Sequence, residues 1–159
     1  MRLALSFALL GFLVAGCDSN DPDPDPDPSC AGGLSDQGSF TATVGTEAFA
    51  ADCFNVVIET ITVPGGTADV LAITASVPST EAESITVVTG SVGTGTFSIQ
   101  DRAETATAAE AAYRLGADTR LAESGTVVIS QYSDSRVQGS LDIDLADDTS
   151  VDGTFDISY

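Results

Sequence analysis

Two segments near the C-terminus alternate apolar and carboxylate side chains with a period of two. Leu141, Ile143 and Leu145 share one face while Asp142 and Asp144 share the other; Phe155, Ile157 and Tyr159 repeat the pattern with Asp156 outward. A helix would scatter those residues around its circumference, whereas a half-buried antiparallel strand sorts them into a dry face and a wet face. The echo of Gly139-Ser-Leu-Asp-Ile-Asp in Gly153-Thr-Phe-Asp-Ile-Ser reflects shared hairpin geometry rather than a duplicated domain.

The same grammar extends back along the chain. Phe40 to Val44 alternates, and Gly45-Thr46 makes a tight turn into Ala48-Phe49. Phe54 to Val63 is rich in Val, Ile and Thr and stops at Pro64-Gly65-Gly66; Ala68 to Val77 stops at Pro78. In the latter, Val70 with Ala72 and Leu71 with Ile73 take opposite faces. Ser84–Thr89, Thr94–Ile99, Thr126–Tyr132, Val137–Leu145 and Val151–Tyr159 read as further strands. Glu104–Leu115 is alanine-rich and has helix propensity, but strand pairing at Ala111–Leu115 is the preferred reading. The expectation is an all-β domain, an antiparallel β-sandwich or flattened barrel of about eight strands.

The N-terminus carries a different signal. Arg2, an apolar run from Leu3 to about Val14, and then Ala15-Gly16-Cys17 make a secretory signal peptide of the lipoprotein type. The run is too short for a spanning helix, which needs about 20 residues. Residues 1–16 are expected to be removed and Cys17 lipidated, which leaves 143 of the 159 residues, enough for one domain. Stable attachment takes more than one acyl chain; a diacylglyceryl group plus an N-acyl chain meets that need. Residues 17–29 form the lipidated cysteine and a linker: Asp18-Ser-Asn is followed by four Asp-Pro repeats. Proline fixes φ and the aspartates repel one another, so the linker is extended and disordered. At ~3.1 Å per residue its twelve residues after Cys17 reach roughly 35–40 Å. Residues 30–159 are the β-domain.

Charge limits the partners. The chain has 24 acidic residues against 5 basic ones, and loss of Arg2 leaves 4 against 24, a net of −20. All five basic residues are arginine. Such a charge argues against nucleic acid, whose phosphates need Lys and Arg, and disfavours a basic lipid-docking patch. Abundant Asp and Glu, no Lys, and many small residues resemble proteins of salt-loving microbes, where concentrated salt screens like charges. The membrane partner is thus reached through the lipid on Cys17, with the domain in the cell envelope at the outer membrane or cell surface. Asp18 directly after Cys17 resembles an inner-membrane retention signal in some bacteria, whereas in others acidic residues near the cysteine resemble a surface-export signal, which leaves the leaflet open.

With Cys17 taken, Cys30 and Cys53 remain as an even pair in an oxidising compartment. A disulfide is the preferred reading, with two unpaired thiols as the alternative. The bridge would close a loop of about 24 residues and add roughly 3 kcal/mol in the chain-entropy model.

Several strings together, Phe40-Thr-Ala-Thr-Val-Gly-Thr-Glu-Ala-Phe49, Gly95-Thr-Phe-Ser-Ile99, Ala111-Ala-Tyr113, Ser124-Gly-Thr-Val-Val-Ile-Ser130, Val137-Gln-Gly-Ser-Leu141 and Val151-Asp-Gly-Thr-Phe155, resemble a group of small bacterial lipoproteins. Each of these carries a single β-domain of unknown function. The resemblance spans nearly the whole mature domain and implies fold and address; it implies no catalytic residues. Such proteins often have Trp where Phe49 stands and are not associated with a Cys30/Cys53 pair.

Chemistry is sparse. There is no histidine, so Ser-His-Asp and Cys-His catalysis and His-ligated metal sites are excluded in their usual form. No lysine is available for a Schiff base. Gly65-Gly66 and Gly90-Ser-Val-Gly-Thr-Gly95 open no helix and read as hairpin turns rather than phosphate loops. Asp142, Asp144, Asp147, Asp148 and Asp152 crowd one hairpin, but Asp147-Asp-Thr-Ser-Val-Asp-Gly153 lacks calcium-loop spacing, so a solvated face is the default and no metal or cofactor is expected. The expected function is non-enzymatic: a lipid-tethered envelope domain for structure or interaction. One rival is a barrel that binds a small apolar ligand, which would need an apolar cavity of roughly 300 Å³ or more. Another is a carboxylate-based hydrolase, which would need two facing acids, one with a raised pKa.

Overall fold

The computed structural model describes residue 30 and residues 34–63, 66–78, 82–100 and 105–159. The expected signal peptide, Cys17 and the expected Asp-Pro linker lie outside the described residues, as do Pro64, Gly65 and Glu104.

The domain is all-β, with ten strands. They are β1 (Gly38–Val44), β2 (Glu47–Ala51), β3 (Cys53–Val63), β4 (Gly66–Val77) and β5 (Glu83–Thr89), then β6 (Gly95–Ile99), β7 (Ala108–Leu115), β8 (Asp118–Ser133), β9 (Arg136–Leu145) and β10 (Ser150–Ser158). All belong to one sheet in the order β2-β1-β10-β9-β8-β6-β7-β5-β4-β3, antiparallel except for a short parallel contact of β6 with β7. Two strands exceed the expected eight. β2 is only five residues long and follows a two-residue turn, with Gly45 at φ 61°. β7 bears out the strand preferred at Ala111–Leu115 and begins earlier, at Ala108; pairing with β5 on one side and with β8 and β6 on the other overrides the helix propensity of its alanines.

The sheet is not closed into a barrel, which corrects the flattened-barrel expectation. Asp52 alone links β2 and β3, which stand at opposite ends of the order. Among the described residues no ladder joins those two strands; one isolated bridge, Ser35 to Phe54, ties the segment before β1 to β3. The right-handed twist of roughly 20–25° per neighbouring pair accumulates over the order and curls the sheet. Inward residues from all ten strands then meet in one core cluster.

Packing follows the register. On the inner face Phe40 pairs with Phe155, Phe155 with Gly139, and Gly139 with Ile129. The Phe155 ring covers Gly139 so closely that a Cβ there would collide with it and with the Val128 carbonyl. One step along, Ala42, Gly153, Leu141 and Val127 form the next row. Large residues therefore face small ones, which is how a curled sheet fills its interior without overlap. Phe40 stacks on Phe155 at 5.6 Å and meets Phe49 edge-on at 5.8 Å. The repeated Gly of the 139 and 153 strings is thus an inward-facing packing residue in both strands.

The alternation expected in β9 and β10 holds, with Leu141, Ile143, Leu145, Phe155 and Ile157 buried. Tyr159 departs from it: the residue lies past the end of β10, exposed, with its hydroxyl donating to the Ser133 carbonyl at 2.9 Å. In β4, Leu71 and Ile73 face the core, while Val70 on the opposite face is also buried.

Candidate functional site

β8 is the strand that opens a site. Its sixteen residues pair with β9 along one edge, with irregularities in register between Ala122 and Ser124 and between Ile129 and Gln131. Its other edge is shared: Asp118–Leu121 pair with β7, and Thr126–Ile129 pair with β6. Between those stretches β7 and β8 diverge. An open cleft of about 690 Å³ lies there, within the range of small-molecule sites. Its lining includes Gln100, Glu110, Ala111, Arg120, Ala122 and Glu123.

Arg120 organises the cleft. The alternation of β8 turns it to the same side as Tyr113, its partner across the ladder, and its guanidinium lies 5.8 Å from the Tyr113 ring centre. It donates to Asp118 at 3.2 Å and reaches Asp147 at 3.0 Å. These carboxylates hold its pKa above the ordinary arginine value, the Asp118 hydrogen bond most of all. Asp147 is held below the carboxylate range, chiefly by its hydrogen bond with Thr149 and further by Arg120. Tyr113 donates to Glu83 at 2.7 Å, and burial together with that carboxylate pushes its pKa up to about 12. These shifts keep Arg120 and Tyr113 protonated and Asp147 ionised at neutral pH, so the three can bind a ligand by charge and shape.

A second junction lies at Cys30. Cys30 and Cys53 are disulfide-bonded, with Cα atoms 5.3 Å apart, as their even count favoured. The bridge fixes Cys30 to the first residue of β3, one residue beyond the Asp52 corner.

The Asp-rich hairpin disperses. Asp142 faces Asp152 across the β9–β10 ladder, Asp144 accepts from Ser124 at 2.8 Å, and Asp147 is engaged by Arg120. Asp148 takes the left-handed conformation that closes the loop, φ 61°. Among the described residues no three His, Cys, Asp or Glu side chains come together as a metal cluster. A different acid carries the tightest network: Asp156 accepts both Nε and NH2 of Arg136, at 2.8 and 2.6 Å, and Nε2 of Gln138 at 2.7 Å. Those donors, Arg136 first and Gln138 second, bring its pKa down to about 2.

Sequence reading missed the β7–β8 fork. No residue in it forms a motif; its only trace is an alanine-rich strand beside one too long for a single partner. Comparison with protein-family models, curated proteins and solved structures returned no match to this chain.

Proposed function

We propose that the chain is a non-catalytic, lipid-anchored lipoprotein of the cell envelope. In this reading Cys17 carries the acyl chains, Asp18–Ser29 is a stalk, and the β-domain is held at the outer membrane or cell surface for a structural or interaction role. The observation that carries it is the apolar run ending in Leu13-Val-Ala-Gly-Cys17, three residues ahead of four Asp-Pro repeats. The Cys30–Cys53 bridge supports it, because it suits an oxidising compartment and transmits the stalk's pull to a sheet corner rather than to a loose end. The finer form of the fold belongs to this reading too: a sandwich in which the β1–β10–β9–β8 half packs on the β7–β5–β4–β3 half, supported by a core that draws on both.

The rivals draw less support. A barrel for apolar ligands needs a closed wall and a hollow centre, whereas here Phe40, Phe49, Phe54 and Phe155 fill the centre. A carboxylate hydrolase needs one acid with a raised pKa. The two carboxylates with displaced values among the described residues, Asp147 and Asp156, both move down.

Mass spectrometry of the full chain recovered from bacterial membranes tests the proposal. The expected product begins at Cys17 with a diacylglyceryl group and an N-acyl chain, and Cys17→Ser moves the protein to the soluble fraction. Retention of residues 1–16 on membrane-bound protein would overturn it.

A further inference from the structure

β3 ends the sheet order, and among the described residues its outer edge is bridged only at Phe54. There Phe54 and Ser35 exchange both backbone bonds at 2.7 Å. Main-chain groups alternate between the two edges of a strand, and the β3–β4 register runs unshifted from Cys53 to Val63. The N–H and C=O groups of Val56, Ile58, Thr60 and Thr62 therefore point away from β4. Proteins ordinarily blunt such an edge with Lys, Pro or a bulge. From Asn55 to Val63 there is none of these, and the single charge is Glu59. Ile58 is 53% exposed although it lies opposite Leu71, which is fully buried.

We propose that this edge pairs antiparallel with the same edge of a second copy of the chain, about a two-fold axis through Ile58. That axis sets Ile58 against Ile58, Val56 against Thr60 and Val57 against Glu59 of the other copy. An axis through Glu59 would oppose two carboxylates, and one through Thr60 would bring Pro64, which has no N–H, into the ladder opposite Val56. The interface is isologous and closes at two copies.

The chain before the domain supplies a second argument, which rests on the lipid-anchor reading. The stalk ends at Cys30, bonded to Cys53, the first residue of β3. With the two-fold axis along the membrane normal, the two Cys53 residues lie at one height, roughly 34 Å apart at ~3.4 Å per residue. Two stalks of ~37 Å from one leaflet span that geometry with ease. Confinement to one thin layer raises the effective concentration, which offsets the small area of a seven-residue ladder. Salt favours the pair further, because the Debye length falls to about 3 Å at 1 M and the repulsion between acidic copies is screened.

The test uses the full chain in bacterial membranes. Mild oxidation of Ile58→Cys is expected to give a covalent dimer with Cys30–Cys53 intact, while Thr41→Cys, on the exposed outer face of β1, gives none. Absence of the dimer, an equal yield from Thr41→Cys, or a dimer only from Thr60→Cys overturns the proposal. In sedimentation of the detergent-released protein at molar NaCl, the parent is expected as a dimer and Ile58→Lys as a monomer; a monomeric parent overturns it independently. Should the chain partition to the soluble fraction, the anchor reading fails while sedimentation still decides the pairing.

Discussion

The β9–β10 ladder and the β3–β4 hairpin draw on the same Val, Ile and Thr, yet they use the sheet differently. In β10 the inward residues Val151, Gly153, Phe155 and Ile157 are all buried, and β1 and β9 flank the strand on both edges. In β3 the inward face starts with buried Phe54 and runs out to exposed Ile58 and Thr60, and one edge has no strand beside it among the described residues. In these two regions the strands follow the local pattern alike, whereas their contribution to stability depends on whether a second layer arrives over them. A ladder covered on both edges and one face is core; a hairpin that overruns the core is surface, and available for contact.

Substitution on the two sides gives the largest contrast. Phe40→Ala removes a fully buried ring stacked on Phe155 and should cost about 3–5 kcal/mol in denaturant unfolding. Ile58→Thr, measured on monomer at low concentration, should stay within about 0.5 kcal/mol. Equal costs would erase the distinction. Next in size is the staple at the corner between the two regions. The double variant Cys30→Ser, Cys53→Ser should lose roughly 3 kcal/mol by the chain-entropy estimate, read as a lower melting temperature. No loss would mean that β3 is held by its pairing with β4 alone. Gly139→Ala follows: the new Cβ would meet backbone oxygen and the Phe155 ring, and overpacking of this kind costs about 1–3 kcal/mol in unfolding experiments.

Electrostatic effects are smaller and sharpen the comparison on the wet face. Asp142 and Asp152 oppose each other across the ladder, so Asp142→Asn should raise the melting temperature slightly in dilute buffer. That gain should fade in molar NaCl, where the parent itself becomes more stable; a parent whose melting temperature is flat or falls with salt would contradict the screening account. Asp156 sets the acid limit. Its folded pKa, about 2, lies below the ordinary 3.8, so its contribution is fully present above about pH 4 and is lost as pH falls towards 2. Arg136→Gln should flatten the acid limb of the stability profile across that window.

Much of the fold was legible because alternation is a local property. Leu141-Asp-Ile-Asp-Leu145 states which face is dry without reference to any neighbour, and Gly45 marks its turn by itself. β7 was harder: Ala108–Leu115 has helix-forming residues, and only the strands on both its edges make it a strand. The β7–β8 fork was invisible, since Arg120, Asp118 and Asp147 become one network only after a hairpin and a loop bring them together. The Asp-rich hairpin, legible as a charge cluster, came apart for the converse reason: Asp142 and Asp152 face each other across the ladder, while Asp144 is taken by Ser124 and the loop residue Asp147 by Arg120.

By itself, then, the sequence determined the all-β class, most strand faces and the acidity, because period and composition need no third dimension; it favoured a Cys30–Cys53 pair that the structure shows bonded. The tertiary structure decided that the sheet curls without closing, that β8 divides one edge between two strands, and that β3 projects past the core. Those outcomes depend on accumulated twist and on which large side chain meets which glycine, and both are sums over contacts distant in the chain.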